Sequence, residues 1–173
     1  MTANTMKPEE MERLYGQYRD SIYRYLLTRT GRVEVAEDLT SSVFIRFFKY
    51  LNRENAPVVR QERGFLYKVA KGELADFYRK EGKMKQVDIE EAQEIPDERD
   101  TADDQIDITI NIDRINGLIA QLPETYQEVV KLRYIEQLEF SEISDAIEKS
   151  EGAVRVILHR ALRMLKENAE RMS

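Results

Sequence analysis

Apolar residues recur at helical spacing in three stretches of the N-terminal half of the chain. Their spacing follows the i, i+3, i+4 and i+7 pattern of an amphipathic helix, and Gly31 offers a stop after the first stretch. The apolar positions of the three stretches are Leu14, Tyr18, Ile22, Tyr25 and Leu26; Val35, Ala36, Leu39, Val43, Phe47 and Leu51; and Phe65, Leu66, Val69, Ala70, Leu74 and Phe77. Three such helices predict a small bundle with one shared core.

Shorter helical runs follow in the C-terminal half, beginning near Ile112. Pro123 suits the first turn of a helix, because its missing N–H would have no helical partner there. The stretch FSEISDAIEKSEGAVRVILHRALRML, residues 140–165, holds two amphipathic runs that meet at a polar corner. Ser150 can cap the second run by accepting a hydrogen bond from a backbone N–H. This pattern predicts a helix-turn-helix.

The second helix of this pair combines an apolar stripe with a basic face. The stripe consists of Val154, Leu158, Ala161 and Leu165. The residues predicted to face a DNA groove are Arg155, Val156, His159, Arg160 and Arg163. Guanidinium groups present a fork of N–H donors that suits base edges and phosphates. Taken alone, the hairpin is also compatible with an ordinary helical pair whose basic face is solvated.

One segment supplies the negative charge of the chain. The 173 residues carry a formal net charge of −6, but Asp88 to Asp113 hold eleven acidic residues against one basic residue. That local net charge of −10 leaves +4 for the rest of the chain. The segment has no aromatic residue and little helical periodicity, which is typical of a solvated linker. A second interpretation is a polyanion that imitates nucleic acid, shielding the basic halves or lying in a partner's channel.

The composition argues against several classes of protein. Cysteine is absent and His159 is the only histidine, so neither a thiol nucleophile nor a metal site is indicated. The sequence has no P-loop and no glycine-rich dinucleotide turn. We therefore expect no enzyme, no catalytic residue, no cofactor and no metal. No apolar run approaches membrane-spanning length and the N-terminus is too polar for a signal peptide, which predicts a cytoplasmic protein without membrane insertion.

Five segments follow one another in a fixed order. They are AEDLTSSVFIRFF, RGFLYKVAKGELADFYRK, the acidic segment, LPETYQEVVKLRYIEQLEFSEISDAI and SEGAVRVILHRAL. In this order and spacing they resemble the extracytoplasmic-function (ECF) sigma factors, the two-domain promoter-specificity subunits of bacterial RNA polymerase. The resemblance covers most of residues 10–168.

The resemblance implies an all-α fold of two small helical domains joined by an acidic flexible linker. Residues 8–86 would form a three- to four-helix bundle like sigma region 2, and residues 87–111 the linker. Residues 112–170 would form a helix-turn-helix domain like sigma region 4. The implied partners are core RNA polymerase and promoter DNA, and an anti-sigma factor is a further partner that the resemblance allows.

The resemblance also implies roles for three groups of residues. The group that docks on the polymerase is Glu37, Asp38, Ser41 and Phe44, with Asp38 as the expected acidic contact. The group that opens the downstream (−10) promoter element and holds a flipped base is Arg60, Arg63, Tyr67, Lys68 and Lys71. The upstream (−35) element would be read by the groove-facing residues of the helix-turn-helix named above.

The chain departs from the family pattern at several positions. Ser41 and Ser42 stand where glutamine followed by an acid is usual, so one acidic docking contact is missing. Phosphorylation of Thr40, Ser41 or Ser42 would add about −1.5 to −2 charges per site beside Asp38, although tolerated surface residues are the simpler explanation. The remaining departures are Phe65 for a frequent Trp, Gly72 for a frequent Asn, and Ile157 and Leu162 for frequent arginines.

Two other functions are compatible with parts of the sequence. A stand-alone helix-turn-helix regulator would bind operator DNA without polymerase, but it would usually dimerise, and no dimer seam follows Leu165. A protein-binding adaptor could use the aromatic-rich second helix, with Phe44, Phe47, Phe48 and Tyr50. Such an adaptor would show little salt-dependent affinity for promoter DNA even with polymerase present.

Overall fold

Seven α-helices make up the regular structure of the described part of the chain. A computed structural model describes residues 6–56, 58–59, 61–82 and 112–172, and these ranges contain no strand. The helices are α1 (Pro8–Thr30), α2 (Val33–Leu51), α3 (Glu62–Lys80), α4 (Ile112–Ile119), α5 (Glu124–Tyr134), α6 (Phe140–Ile147) and α7 (Glu151–Arg171). The expected acidic linker, 87–111, and Arg60 lie outside the described residues.

The chain divides into two compact units. One unit holds α1, α2 and α3, and the other holds α4, α5, α7 and most of α6. The predicted all-α fold with two small helical domains is therefore confirmed. Within the described ranges, none of the helices combines the length and the hydropathy that a bilayer span requires.

In the first unit, α1, α2 and α3 all pack against one another. Gly31 ends α1 with a left-handed φ of 67°, and its N–H donates to the Leu27 carbonyl, which confirms the predicted stop. The largest fully buried side chains of this unit are Leu14, Ile22, Tyr25, Leu26, Val43, Phe47, Leu66 and Tyr67. Phe65, Val69 and Phe77, which were predicted as core residues of α3, are only half-buried.

In the second unit, α7 packs against α5 and α4. Pro123 lies at the N-cap of α5, one residue before the first turn in which it was predicted. The side chains that fill the core here are Leu118, Ile119, Leu122, Val129, Val130, Leu132, Leu138, Ile143, Val154, Val156, Ile157, Leu158 and Ala161. The core is thus formed by α7 together with every other helix of the unit.

Polar contacts hold the two turns around α6. Before α6, the Arg133 guanidinium donates to the Leu138 carbonyl at 2.9 Å, and the Glu142 carboxylate accepts from the Glu139 N–H at 2.7 Å. After α6, the Ser150 hydroxyl accepts from the Ala153 N–H at 3.1 Å, so the predicted cap of α7 is confirmed. These turns fix the direction in which α7 leaves the helix-turn-helix corner.

Candidate functional site

A basic face runs along the exposed side of α7. Arg155 and Arg163 are exposed and His159, between them, is half-buried. These residues are four apart, so they lie on one face of the helix. A nitrogen of the Arg163 guanidinium lies 3.4 Å from Nε2 of His159. Three of the five predicted DNA-reading side chains therefore share one surface.

Arg160 is separated from this surface. Five residues along an α-helix correspond to a rotation of about 140°, so Arg160 projects from a different side of α7 than Arg155. Its side chain is half-buried, between the positions of Val156 and Ile157. Arg160 therefore lies at the border of the basic face and not beside Arg155.

Val156 does not lie on the basic face. Only 2% of its surface is exposed, and the next two residues, Ile157 and Leu158, are also buried. Three consecutive buried residues occur because α7 is covered by both α4 and α5 rather than by a single neighbour. The prediction that Val156 contacts DNA is corrected accordingly, since its side chain belongs to the core.

Arg155 is held by contacts from within the helix-turn-helix. Its Cζ lies 4.8 Å from the centroid of the Phe140 ring, and its guanidinium lies 3.8 Å from the Glu151 carboxylate one turn earlier. The Cζ of Arg133 approaches the same ring to 4.6 Å. Phe140 therefore contacts two arginines, and periodicity in the sequence did not indicate either of these contacts.

Acidic residues occupy the N-terminal part of the solvent face of α2. Glu37, Asp38 and Ser41 are all exposed, as the docking prediction requires. Ile45 lies one turn after Ser41, and 56% of its surface is exposed. An exposed apolar side chain beside these acids is a candidate protein contact that the sequence analysis missed. Its position four residues after Ser41 was the available signal.

Phe44 does not share this face. Only 2% of its surface is exposed, and its ring packs edge-on against Tyr15 with 5.0 Å between centroids. The prediction that Phe44 contacts the polymerase is therefore corrected: its side chain joins α2 to α1 within the first unit.

The three candidate phosphorylation sites differ in accessibility. Thr40 is 3% exposed, and its hydroxyl donates to the Ala36 carbonyl at 2.6 Å, so a kinase cannot reach it in the folded unit. Ser42 is half-buried and Ser41 is exposed. Thr40 is therefore removed from the set of candidate sites, and Ser41 and Ser42 stay in it.

The residues predicted to contact the downstream promoter element also differ in how exposed they are. Tyr67 is 1% exposed, and its ring packs edge-on against Tyr25 at 5.2 Å, so it cannot stack on a base in this conformation. The prediction that Tyr67 contacts DNA is corrected for that reason. Lys71 is exposed, and Lys68 and Arg63 are half-buried.

An aromatic pair lies at the partly exposed end of the first unit. The rings of Tyr50, at the end of α2, and Phe65, at the start of α3, are 4.6 Å apart with an interplanar angle of 33°. Arg53 lies 5.4 Å from the Tyr50 centroid, and the Lys68 amine lies 5.8 Å from that of Phe65. Both rings are half-buried. Cations beside partly exposed rings are what stacking on single-stranded nucleic acid requires.

Comparison with known proteins identifies the family of the chain. The model of sigma-70 region 2 matches residues 14–84, and the model of sigma-70 region 4 matches residues 112–165. The ECF RNA polymerase sigma factor SigD of Mycobacterium tuberculosis is 30% identical over 161 residues, covering 86% of this chain and 72% of that protein. The chain belongs to the ECF sigma factor family.

A further relative and a solved structure are also similar to this chain. The ECF RNA polymerase sigma factor BldN of Streptomyces coelicolor is 29% identical over 156 residues, and the match spans 88% of this chain but only 58% of BldN. A solved structure of the sigma factor RpoE with the anti-sigma factor NepR from Bartonella quintana has a TM-score of 0.59 over 94% of this chain. Its sequence is 12% identical, so this likeness concerns the fold.

Both matched regions are promoter-recognition regions of sigma factors. Region 2 recognises the −10 element and region 4 the −35 element. The chain is therefore a promoter-recognition subunit that acts in transcription initiation.

Proposed function

We propose that this sigma factor divides its contacts between two oppositely charged faces on its two units. The acidic face of α2 binds core RNA polymerase, and the basic face of α7 reads the upstream promoter element. The observation that carries the proposal is the exposure of Asp38 and Arg155 on helices whose other sides are buried. Each of these two helices buries one side and exposes charged residues on the other, which supports a surface role for the exposed side.

Upstream reading is assigned to the side chains that share the basic face. Arg155 lies near the N-terminal end of α7, which is the end that a helix-turn-helix inserts into the major groove. His159 and Arg163 follow along the same side, and Arg160 reaches the groove border. Arg155 is the residue best placed to contact a base edge, whereas Arg160 and Arg163 are better suited to phosphates.

Polymerase docking is assigned to Glu37, Asp38, Ser41 and Ile45. The carboxylates supply complementarity to a basic partner surface, and the exposed part of Ile45 adds apolar area that is lost from water on binding. Phosphorylation of Ser41 or Ser42 would strengthen this face by adding charge beside Asp38. We retain that switch as a proposal for these two serines alone.

Promoter opening is assigned to Arg63, Lys68, Lys71 and the Tyr50–Phe65 pair. The cations attract the sugar-phosphate backbone of the melted strand, and Phe65 offers a ring on which an unstacked base can pack. Arg60 stays within the proposal, although it lies outside the described residues. The buried Tyr67 supports this surface from the core rather than contacting the base.

The proposal extends to the location of the protein, its lack of catalysis and its further partners. We propose that the protein works in the cytoplasm, contributes no catalysis and needs no cofactor, because its sequence lacks a nucleophile–base pair and a set of metal ligands. An anti-sigma factor is a further proposed partner, and it would have to cover one of the two charged faces to prevent function. The domain bounds 8–86 and 112–170 are proposed as the units that act in this way.

Co-elution with core RNA polymerase tests the proposal. The full chain is expected to co-elute with bacterial core polymerase on a size-exclusion column. Asp38→Arg should weaken that binding on the order of tenfold, because it reverses a charge at the interface. Glu167→Arg makes the same charge change at an exposed position of α7 and serves as the control.

The same preparation separates the competing functions. Promoter DNA bound by the complex in a salt-dependent manner supports the sigma assignment. DNA binding by the chain with no polymerase affinity would favour a stand-alone regulator, and polymerase binding without salt-dependent DNA affinity would favour an adaptor. If the unmodified chain does not bind polymerase but Ser42→Asp does, the serine switch is supported.

A further inference from the structure

The Phe140 ring contacts two arginines that differ in how firmly they are held. The Arg133 guanidinium donates to the Leu138 carbonyl at 2.9 Å and pairs with Glu139 at 3.4 Å. Its side chain is 29% exposed. Arg155 has a side chain that is 48% exposed and a long ion pair, 3.8 Å, with Glu151. Arg133 is therefore anchored to the backbone, whereas Arg155 is restrained by the Phe140 ring and by its long ion pair with Glu151.

The ring restrains Arg155 without using its donors. A guanidinium that lies against an aromatic face interacts through its charge and its planar surface, which leaves its N–H groups available for hydrogen bonds. An exposed arginine otherwise samples many rotamers, and ordering it on binding costs conformational entropy. A contact that orders the side chain in advance therefore lowers the cost of binding a base edge.

The position of Phe140 in the fold suits this role. It is the first residue of α6, and Arg155 is the fifth residue of α7. The turns on both sides of α6 are closed by hydrogen bonds, including the one from Arg133 to Leu138. The ring is half-buried, so one part packs in the unit while another part supports the guanidinium.

We propose that Phe140 is a positioning residue for upstream promoter recognition, which acts by holding the Arg155 guanidinium ready for a base edge. This inference rests on the proposed function, in which Arg155 reads DNA. Phe140 acts through Arg155 and makes no base contact of its own. Its removal should therefore relax sequence preference only at the base pairs that Arg155 reads.

The test uses the full chain in complex with bacterial core RNA polymerase. The probe is a pool of promoter duplexes randomised in the upstream element, and the bound fraction is sequenced. Arg155→Ala is expected to reduce the preference at its base pairs on the order of tenfold. Phe140→Leu should reduce the preference at the same base pairs by about two- to fivefold, the scale of one cation–π contact. Phe140→Tyr keeps the ring and should keep the preference.

Two controls distinguish positioning from a general loss of structure. The double variant Phe140→Leu/Arg155→Ala should behave as Arg155→Ala does, because Phe140 has no role once Arg155 is gone. Ile143→Val loosens the core of the same helix and should leave base preference unchanged. The proposal is overturned if Phe140→Leu lowers binding to all sequences equally, or if its effect persists in the Arg155→Ala background.

A fluorescence measurement tests the contact without DNA. The chain contains no tryptophan, so Phe140→Trp introduces a single tryptophan at the ring position. Adding Arg155→Ala should shift its emission to longer wavelength, because the guanidinium no longer shields the ring from water. No shift would overturn the contact itself. A shift combined with an Arg155→Ala variant that keeps full base preference would instead refute the proposed function of Arg155, and with it the positioning role.

Discussion

The helices α2 and α7 carry the two proposed contact faces, but they are buried to different extents. At 3.6 residues per turn, the buried residues of α2, from Ala36 to Phe47, span an arc of about 140°. Those of α7, from Val154 to Leu165, span about 200°. The wider arc of α7 follows from its burial of three consecutive residues. A helix packed in this way has less surface left for a partner.

This difference decides which predicted contacts reach solvent. On α2 the broad solvent face holds Glu37, Asp38 and Ser41 together, and only the flanking Phe44 falls into the core. On α7 the narrower face holds Arg155, His159 and Arg163, while Val156 is buried and Arg160 lies at the border. A wide face suits a protein surface, and a narrow row of cations suits a groove.

The largest expected effect comes from a charge placed in the buried arc of α7. Ile157→Arg should destabilise the second unit by about 4 kcal/mol or more, because a guanidinium would be buried at a fully buried position. Urea unfolding followed by circular dichroism measures this loss of unfolding free energy. Leu162→Arg, at a half-buried position of the same helix, should cost less than about 1 kcal/mol. Equal costs for the two variants would contradict the wide buried arc.

The corresponding test on α2 uses two neighbouring residues. Phe44→Ala should lower the free energy of unfolding by about 3–4 kcal/mol, because it empties a buried ring position between α1 and α2. Ile45→Ala should change that free energy by less than about 0.5 kcal/mol. It should nevertheless weaken co-elution with core polymerase. Unchanged polymerase binding by Ile45→Ala would remove Ile45 from the docking face.

A smaller effect is expected at the start of α7. Ser150→Ala should cost about 1 kcal/mol of unfolding free energy, because the Ala153 N–H loses the hydroxyl that caps it. Ser150→Asp keeps a side-chain acceptor and should retain most of the stability. Thermal unfolding of the three proteins under one set of conditions compares them. If Ser150→Ala leaves the free energy of unfolding unchanged, water replaces the capping hydroxyl without cost.

The smallest expected effect is a gain in stability at a turn of the second unit. Gln137 has a positive φ of 58°, which is costly for a residue with a β-carbon, so Gln137→Gly should stabilise the protein by about 0.5 kcal/mol. Asn55, in the first unit, has a φ of 59°, but asparagine adopts this conformation more readily. Asn55→Gly should therefore stabilise the protein by less than Gln137→Gly does. Urea unfolding of both variants measures the two gains in unfolding free energy.

The positions of helices and caps were largely predictable because they depend on local chemistry. Gly31 ends α1 and Ser150 caps α7 as expected, since each needs only nearby backbone groups. Helix α3 begins at Glu62, three residues before Phe65, the first apolar position of its predicted stretch. The aromatic pair of Tyr50 and Phe65 could not be predicted in this way, because the two rings come from different helices.

The sequence by itself determined the helical fold, its division into two units, the family, and the sign of charge on each exposed face. These properties follow from periodicity, motif order and composition, which are all local or additive along the chain. Only the tertiary structure decided that Phe44, Tyr67 and Val156 belong to the core, and that Phe140 meets Arg155. The physical reason is that periodicity indicates the direction of an apolar stripe but not how much of the helix surface the neighbouring helices cover.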